Sequence, residues 1–366
     1  MHINIGLAQL SQQLLLFAIV TYALAMLAYA CDFAFGKQRI MAPATGAAPE
    51  LVGIGAAAGL AGRAAAGPAP GAAAGRLDGM DAGSPDGPGP GSPDGPGAGT
   101  PAALVTGSPL ARPGWWVRSA LALTIVGLIA HVTGILLRGI SEDRVPWGNM
   151  YEFITAITCM AVIVLIVAAL RYQAYYIGLF VLIPVVFALG VAVTVIYTPA
   201  GSLVPALQSY WIAIHVTAMI VASGLFMVGA VTTAMYLAAD RHERRLAAGQ
   251  PSGTAGIMMH LPRALVLDRL SYRAILFAFP VWTFGIMAGA IWADHAWGRY
   301  WGWDPKETWS FITWVVYAGF LHARATGGWR GRRAAYIQLA GFACLMFNLI
   351  GINLWVTGLH SYAGMG

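Results

Sequence analysis

The sequence predicts an all-α polytopic membrane protein with about eight transmembrane helices. Three observations predict it. Of 366 residues, 58% are apolar and only 10% charged. The apolar residues fall in long runs rather than in a period of 2 or 3.6. About 20 apolar residues cross the hydrocarbon core, and eight runs qualify, near 11–34, 115–138, 151–170, 174–197, 211–238, 274–293, 307–325 and 335–357.

The first run, within residues 1–40, has no Lys or Arg before Lys37 and is long enough to span. A cleaved signal peptide needs a basic start, so a retained helix is expected. Residues 41–113 are dominated by Ala, Gly, Pro and Ser and repeat Gly-Ser-Pro-Asp-Gly-Pro-Gly at 83–89 and 91–97. Such a composition cannot bury enough apolar surface to offset its ordering entropy, so a disordered, dispensable cytoplasmic loop is expected there. The other seven spans fall in 114–366, which we take as one domain.

Orientation follows from the basic residues. With the N-terminus outside, inner loops hold 17 of the 21 Lys and Arg, and only Arg138, Arg144, Arg299 and Lys306 remain outside. The positive-inside rule therefore predicts both termini to be extracytoplasmic. The net charge of +6 does not indicate nucleic acid, because the basic residues sit in short clusters between spans. Cys31, Cys159 and Cys344 lie inside apolar runs with no Cys-x-x-Cys pair, which argues against a thiol oxidoreductase and against a c-type cytochrome.

The connection after the sixth span carries the chemistry. It reads Ile291-Trp-Ala-Asp-His-Ala-Trp-Gly-Arg-Tyr-Trp-Gly-Trp-Asp-Pro-Lys-Glu-Thr-Trp309, five Trp and a Tyr in 19 residues. Interfacial belts collect Trp and Tyr, but a belt does not call for Gly298, Gly302 and Pro305 among the rings, or for Asp294, Asp304 and Glu307. An aromatic, glycine-relieved surface suits a large flat apolar ligand presented outside, and heme fits. Arg299 and Lys306 are the basic residues there that could meet propionates. Asp304 and Glu307 are better suited to starting the next helix than to acid–base catalysis.

Heme iron takes axial ligands, commonly histidine. His215 lies about one turn into the fifth span, and His360 follows the outer end of the eighth. Both fall at the outer level of the Trp-rich segment, which allows a bis-histidine site, although either alone would read as an interfacial histidine. His322 lies some 15 residues below the outer end of the seventh span, about 22 Å at 1.5 Å per residue. His131 is only about 10 Å down by the same rise, so the two cannot clamp one iron. A ligand opposite His322 should come from another polypeptide, or His322 snorkels beside Arg324. For His131 a packed, hydrogen-bonded histidine is expected. His2, His242 and His260 read as solvated, and His295 as a neighbour of the ligand only by position.

At these residues the sequence resembles the heme-handling superfamily with its tryptophan-rich WWD domain, and within it the system II cytochrome c biogenesis component of the CcsA/ResC type, called CcsB in actinobacteria. Trp297-Gly-Arg-Tyr-Trp-Gly-Trp-Asp-Pro-Lys-Glu-Thr-Trp309 carries the resemblance. Arg144-Val-Pro-Trp-Gly-Asn-Met-Tyr-Glu152, Leu207-Gln-Ser-Tyr-Trp-Ile-Ala-Ile-His215 and Leu359-His-Ser-Tyr-Ala363 support it. The resemblance implies that His215 and His360 ligate heme b iron outside and that His322 is a transmembrane heme histidine. It implies that Trp297, Trp301, Trp303, Asp304 and Trp309 belong to the heme surface.

The implied partners are apocytochrome c with its Cys-x-x-Cys-His and a ResB/Ccs1-type membrane subunit supplying the other inner ligand. The implied activity is presentation of heme at the outer face of the plasma membrane and promotion of its covalent attachment, with a part in heme transport. Any heme lyase activity would belong to the complex. The alternative is an exporter of heme or another small molecule without ligation activity. A permease would call for inverted repeats and midplane charges, and a quinone-linked electron carrier for paired histidines at one depth; the sequence shows neither clearly. Two departures stand out: His295, where relatives commonly carry Glu, and the insert at 41–113.

Overall fold

The computed structural model describes residues 4–35, 114–201, 205–250 and 261–360. The expected loop at 41–113 lies outside the described residues, as do His2 and His260. Eight long helices form in chain order: α1 (Ile5–Phe35), α2 (Trp115–Glu142), α3 (Met150–Tyr172), α4 (Gly178–Thr194), α5 (Tyr210–Ala247), α6 (Ala264–Trp297), α7 (Pro305–Ala325) and α8 (Arg332–Met346). A π turn over Phe347–Gly351 continues α8 into the short helix Ile352–Trp355. Seven of these helices, all but α7, are long and apolar enough to cross a membrane, and the protein is a multi-pass membrane protein. The remaining expected span, α7, has 21 residues but bears Lys306 and Glu307 at one end and His322 and Arg324 at the other.

Small residues and hydroxyls set the packing. Helix α1 lies along α2, where Ser11 Oγ donates to Gly134 O at 2.7 Å. Helix α5 lies along α6. In an apolar medium a polar side chain needs a protein partner, and a chain of three meets that need: Thr233 on α5, Ser271 on α6 and Gln338 on α8, linked at 2.7 Å each. Phe226 on α5 stacks on Tyr317 of α7 with centroids 3.9 Å apart. These contacts join α5 to α8 into the frame that carries the site.

The Trp-rich segment is less of a loop than expected. Residues up to Trp297 complete α6, and Pro305 already starts α7, so only 298–304 is irregular. Gly298 ends α6 in the left-handed region, φ 69°, its N–H donating to Asp294 O. Glycine takes that conformation without a Cβ penalty. At the far end Asp304 caps α7 in a capping box with Glu307, whose carboxylate also accepts from Gly302 N at 2.8 Å. The starting signal expected of Asp304 and Glu307 is thus what they provide.

Candidate functional site: an aromatic cavity with two anchored histidines

An open cavity of about 180 Å³ lies among α3, α5, α6, α7 and the α8 extension. His215, His360, Trp301 and Lys306 all line it.

Both histidines are anchored through one nitrogen. His215 Nδ1 donates to Gly285 O on α6 at 2.7 Å. His360 Nδ1 donates to Asp304 Oδ2, also at 2.7 Å. A ring nitrogen held this way fixes the tautomer and leaves Nε2 with its lone pair, the usual second-shell arrangement of a metal-binding histidine. The two imidazoles share one neighbour, Trp292. His215 lies parallel to it, 8° and 6.1 Å between centroids, and His360 lies 5.5 Å away. Trp292 is buried, and its Nε1–H donates to Ala206 O at 2.9 Å. Trp297 closes the group, 4.8 Å from Trp292 and 5.0 Å from His360.

Asp304 holds the short segment after α8 in place, accepting from Leu359 N as well as from His360. Burial works to raise the Asp304 carboxyl, but the His360 hydrogen bond, the Leu359 N–H and the Lys306 N–H together bring it below its ordinary 3.8. A lowered value means the tether is intact above the ordinary carboxylate range and is lost as pH falls through the folded value. The protection of the Leu359 amide, its exchange relative to an unstructured chain at the same pH, should therefore be high at neutral pH and fall in strong acid. A protection factor that does not change over that descent would contradict the tether.

Gly289 sets the position of His215. A Cβ there would fall 2.6 Å from His215 Nδ1 and 2.7 Å from Cε1, so the ring rests directly on the α6 backbone. The Gly289→Ala substitution should move stability and binding in opposite directions. Alanine favours a helix by roughly 0.5–1 kcal/mol over glycine, whereas displacing an outer-shell bond typically costs about 10–100-fold in metal affinity. A thermal midpoint that rises or holds, with weaker binding of a metal probe at His215, is the expected pair of results.

The remaining expected site residues are spread around this centre. Trp303 is exposed, in the left-handed region at φ 59°, and meets Trp301 and Phe311 edge-on. Such backbone strain in a non-glycine residue clusters at functional loops. Trp309 packs on Phe347 at 4.2 Å. Neither lines the cavity, and neither does Trp297, which backs His360. His322 is exposed near the opposite end of α7, away from the cavity lining. Beside it Arg324 makes a two-point pair with Asp268 of α6, at 2.7 and 2.9 Å. His295 is exposed, with Nδ1 on Ile291 O, and does not line the cavity. His131 is fully buried, 3.3 Å from Tyr22 Oη, the packed histidine expected of it.

Trp282 and Gly289 on α6 and Asn348 in the π turn also line the cavity without any pattern in the sequence to single them out, and Trp147 and Asn149 before α3 line it from within a motif that only the resemblance marks. Trp147 Nε1 and Asn348 Oδ1 are buried without a hydrogen-bond partner among the described residues. Buried polar atoms are rarely left so, and both residues line the cavity. The Trp147 segment had been singled out by resemblance, and the structure shows what holds it. Glu152 accepts from Arg138 Nε, from Arg144 Nη1 and Nη2, from Gly148 N and from Asn149 Nδ2, at 2.8–3.1 Å. Glu142 completes a four-charge network, pairing with Arg138 at 3.0 Å and Arg144 at 2.6 Å.

This changes the meaning of the four basic residues assigned to the outside. Arg138 and Arg144 are neutralised in the buried network, and Arg299 reaches Glu307 at 3.4 Å and lies over Trp297. Among the described residues, the Lys306 ammonium has neither ion pair nor hydrogen bond, and it lines the cavity.

Fold and site together define a multi-pass membrane protein built around an aromatic cavity that presents two anchored imidazoles. Comparison with known proteins agrees with that class. Residues 147–360 match the family described as cytochrome C assembly protein, a span that opens on Trp147 and closes on His360. The cytochrome c biogenesis protein CcsA of Gloeobacter violaceus is 36% identical over 283 residues, covering 64% of this chain and 83% of the relative. The protein of the same name in Synechocystis is 32% identical over 299 residues, 68% of this chain and 89% of the relative. That of Guillardia theta is 34% identical over 253 residues, 65% and 83%. The chain belongs to the cytochrome c assembly family and is of the CcsA type.

Proposed function

We propose that this protein serves cytochrome c maturation by holding heme b in the cavity, with His215 and His360 as axial ligands, and presenting it for covalent attachment to apocytochrome c. One observation carries the reading: both imidazoles line one open aromatic cavity, share Trp292 as a neighbour, and are each anchored through Nδ1, as metal-binding histidines commonly are. The basic-residue asymmetry supports an extracytoplasmic position for the cavity at the plasma membrane.

The protein's part is positioning. The new bonds form between substrates, as each Cys S–H of the Cys-x-x-Cys-His adds across a heme vinyl group. Sulfur and proton both stay on the product, and no side chain of this chain need act as a covalent catalyst. Lys306 supplies a cation for a propionate, a role that Arg299, held by Glu307, fills less well. His322, exposed at the far end of α7, suits an inner heme site completed by a ResB/Ccs1-type subunit, with export toward the outer cavity.

The test is the visible absorption spectrum of the purified protein, alone and with its partner, after loading with heme. A six-coordinate low-spin spectrum is expected. No such spectrum in either state would overturn the reading. Heme bound and exported without thioether formation on an added apocytochrome would instead identify an exporter lacking ligation activity. Lys306→Gln should leave the band positions unchanged and weaken heme retention by about 10–150-fold, the scale of one charge-assisted bond at roughly 1.5–3 kcal/mol; unchanged retention would remove Lys306 from the site.

A further inference from the structure

At the other end of α5 lies a second open pocket, of about 620 Å³. Arg241, Arg244, Arg245 and Arg332 surround it, and Leu237 and Tyr336 form part of its wall. Two of the four guanidiniums share one carboxylate, since Asp240 pairs with Arg244 at 2.9 Å and with Arg332 at 3.9 Å. The nearby acids are committed elsewhere. Glu243 accepts from Ala264 N at 2.8 Å, and Asp268 pairs with Arg324. Arg241 and Arg245 have no ion pair among the described residues.

Depth identifies what such a pocket meets. Helix α5 is continuous from Tyr210 to Ala247, so Arg241 lies 26 residues beyond His215, about 39 Å along the axis at 1.5 Å per residue. The hydrocarbon core is about 30 Å thick. With His215 near one interface, the arginines lie in the headgroup layer of the opposite one. A basic, partly apolar recess between helices at that level is suited to a lipid phosphate, and arginine forks match phosphate oxygens in pairs.

We propose that this pocket is a binding site for an anionic phospholipid, with Arg241 and Arg245 holding its phosphate groups. The site is separate from the heme cavity and does not depend on the reading of that cavity.

The experiment uses the full chain in nanodiscs of phosphatidylcholine alone or mixed with cardiolipin, and reads thermal midpoint and lipid retained after detergent extraction. Cardiolipin should raise the midpoint and be retained. The Arg241→Gln/Arg245→Gln pair should weaken retention about 25-fold, from about 1 kcal/mol per surface arginine. The Arg171→Gln/Arg330→Gln pair removes equal charge from exposed positions elsewhere and should leave retention unchanged. Equal behaviour in the two lipid mixtures would overturn the proposal. So would equal loss in both double variants, or equal stabilisation by inorganic phosphate or by an iron-free dicarboxylate porphyrin in phosphatidylcholine alone.

Discussion

Replacing His360 with alanine is expected to abolish the six-coordinate heme spectrum while leaving the helices folded. His360 lies beyond α8, and its side chain touches Trp292, Trp297 and Asp304 rather than the apolar clusters that hold the helices. Its loss therefore removes a ligand without opening the helical frame. The cost in retention should exceed the roughly 10–100-fold typical of losing an outer-shell partner, since a ligand itself is gone. His215→Ala should give the same spectral loss. Added imidazole should restore a low-spin spectrum to either variant, because the space left has the shape of the missing ring. In the chain without its partner, His322→Ala should leave the spectrum intact. Spectra indifferent to both outer substitutions would sink the ligand assignment.

The second large effect concerns stability. Glu152→Ala should destabilise the protein by about 3–5 kcal/mol, the usual cost of removing one partner from a buried ion pair. The reason is the charge left behind. Arg138 is 3% exposed and the Arg144 side chain 9%, so neither guanidinium can turn to water when its carboxylate is removed. Glu142 would then face two cations alone. The substitution also removes the acceptor for Gly148 N and Asn149 Nδ2, loosening the segment that carries Trp147 to the cavity. Thermal midpoints in detergent, with exposed Arg171→Gln as control, measure the loss. Adding Arg138→Ala to Glu152→Ala should cost less than the sum of the two. A midpoint unmoved by Glu152→Ala would show that the network stores no such energy.

Which features were readable from the sequence follows from their physics. The spans could be read because lipid demands unbroken apolar runs, and each of the eight corresponds to a helix in the structure. The ends of the Trp-rich segment could not, because Trp292 and Trp297 look alike whether in a helix or a loop, and only Gly298 marks the stop. His215 and His360 were legible as candidates. Their anchors were not, since Gly285 O is a backbone atom with no sequence signature, and Asp304, readable as a helix cap and by resemblance as part of the heme surface, carries no mark of a bond to His360. It caps α7 and holds His360 at once. Arg138 and Arg144 were counted as outside charges because charge counting cannot see a neutralising partner, and Glu152 is 14 residues from Arg138 in a different helix. The π turn that brings Asn348 to the cavity has no pattern of its own.

The Asp304 tether also sets a sequence in time. His215, made early, is fixed on α5, but its counterpart is held only when Leu359 and His360 reach the start of α7, after every helix has been synthesised. A nascent chain that has made only α1–α7 therefore has one of the two imidazoles. The second joins it only once α8 and the segment behind it are in place, so any ligand that needs both must wait until all eight described helices have been made.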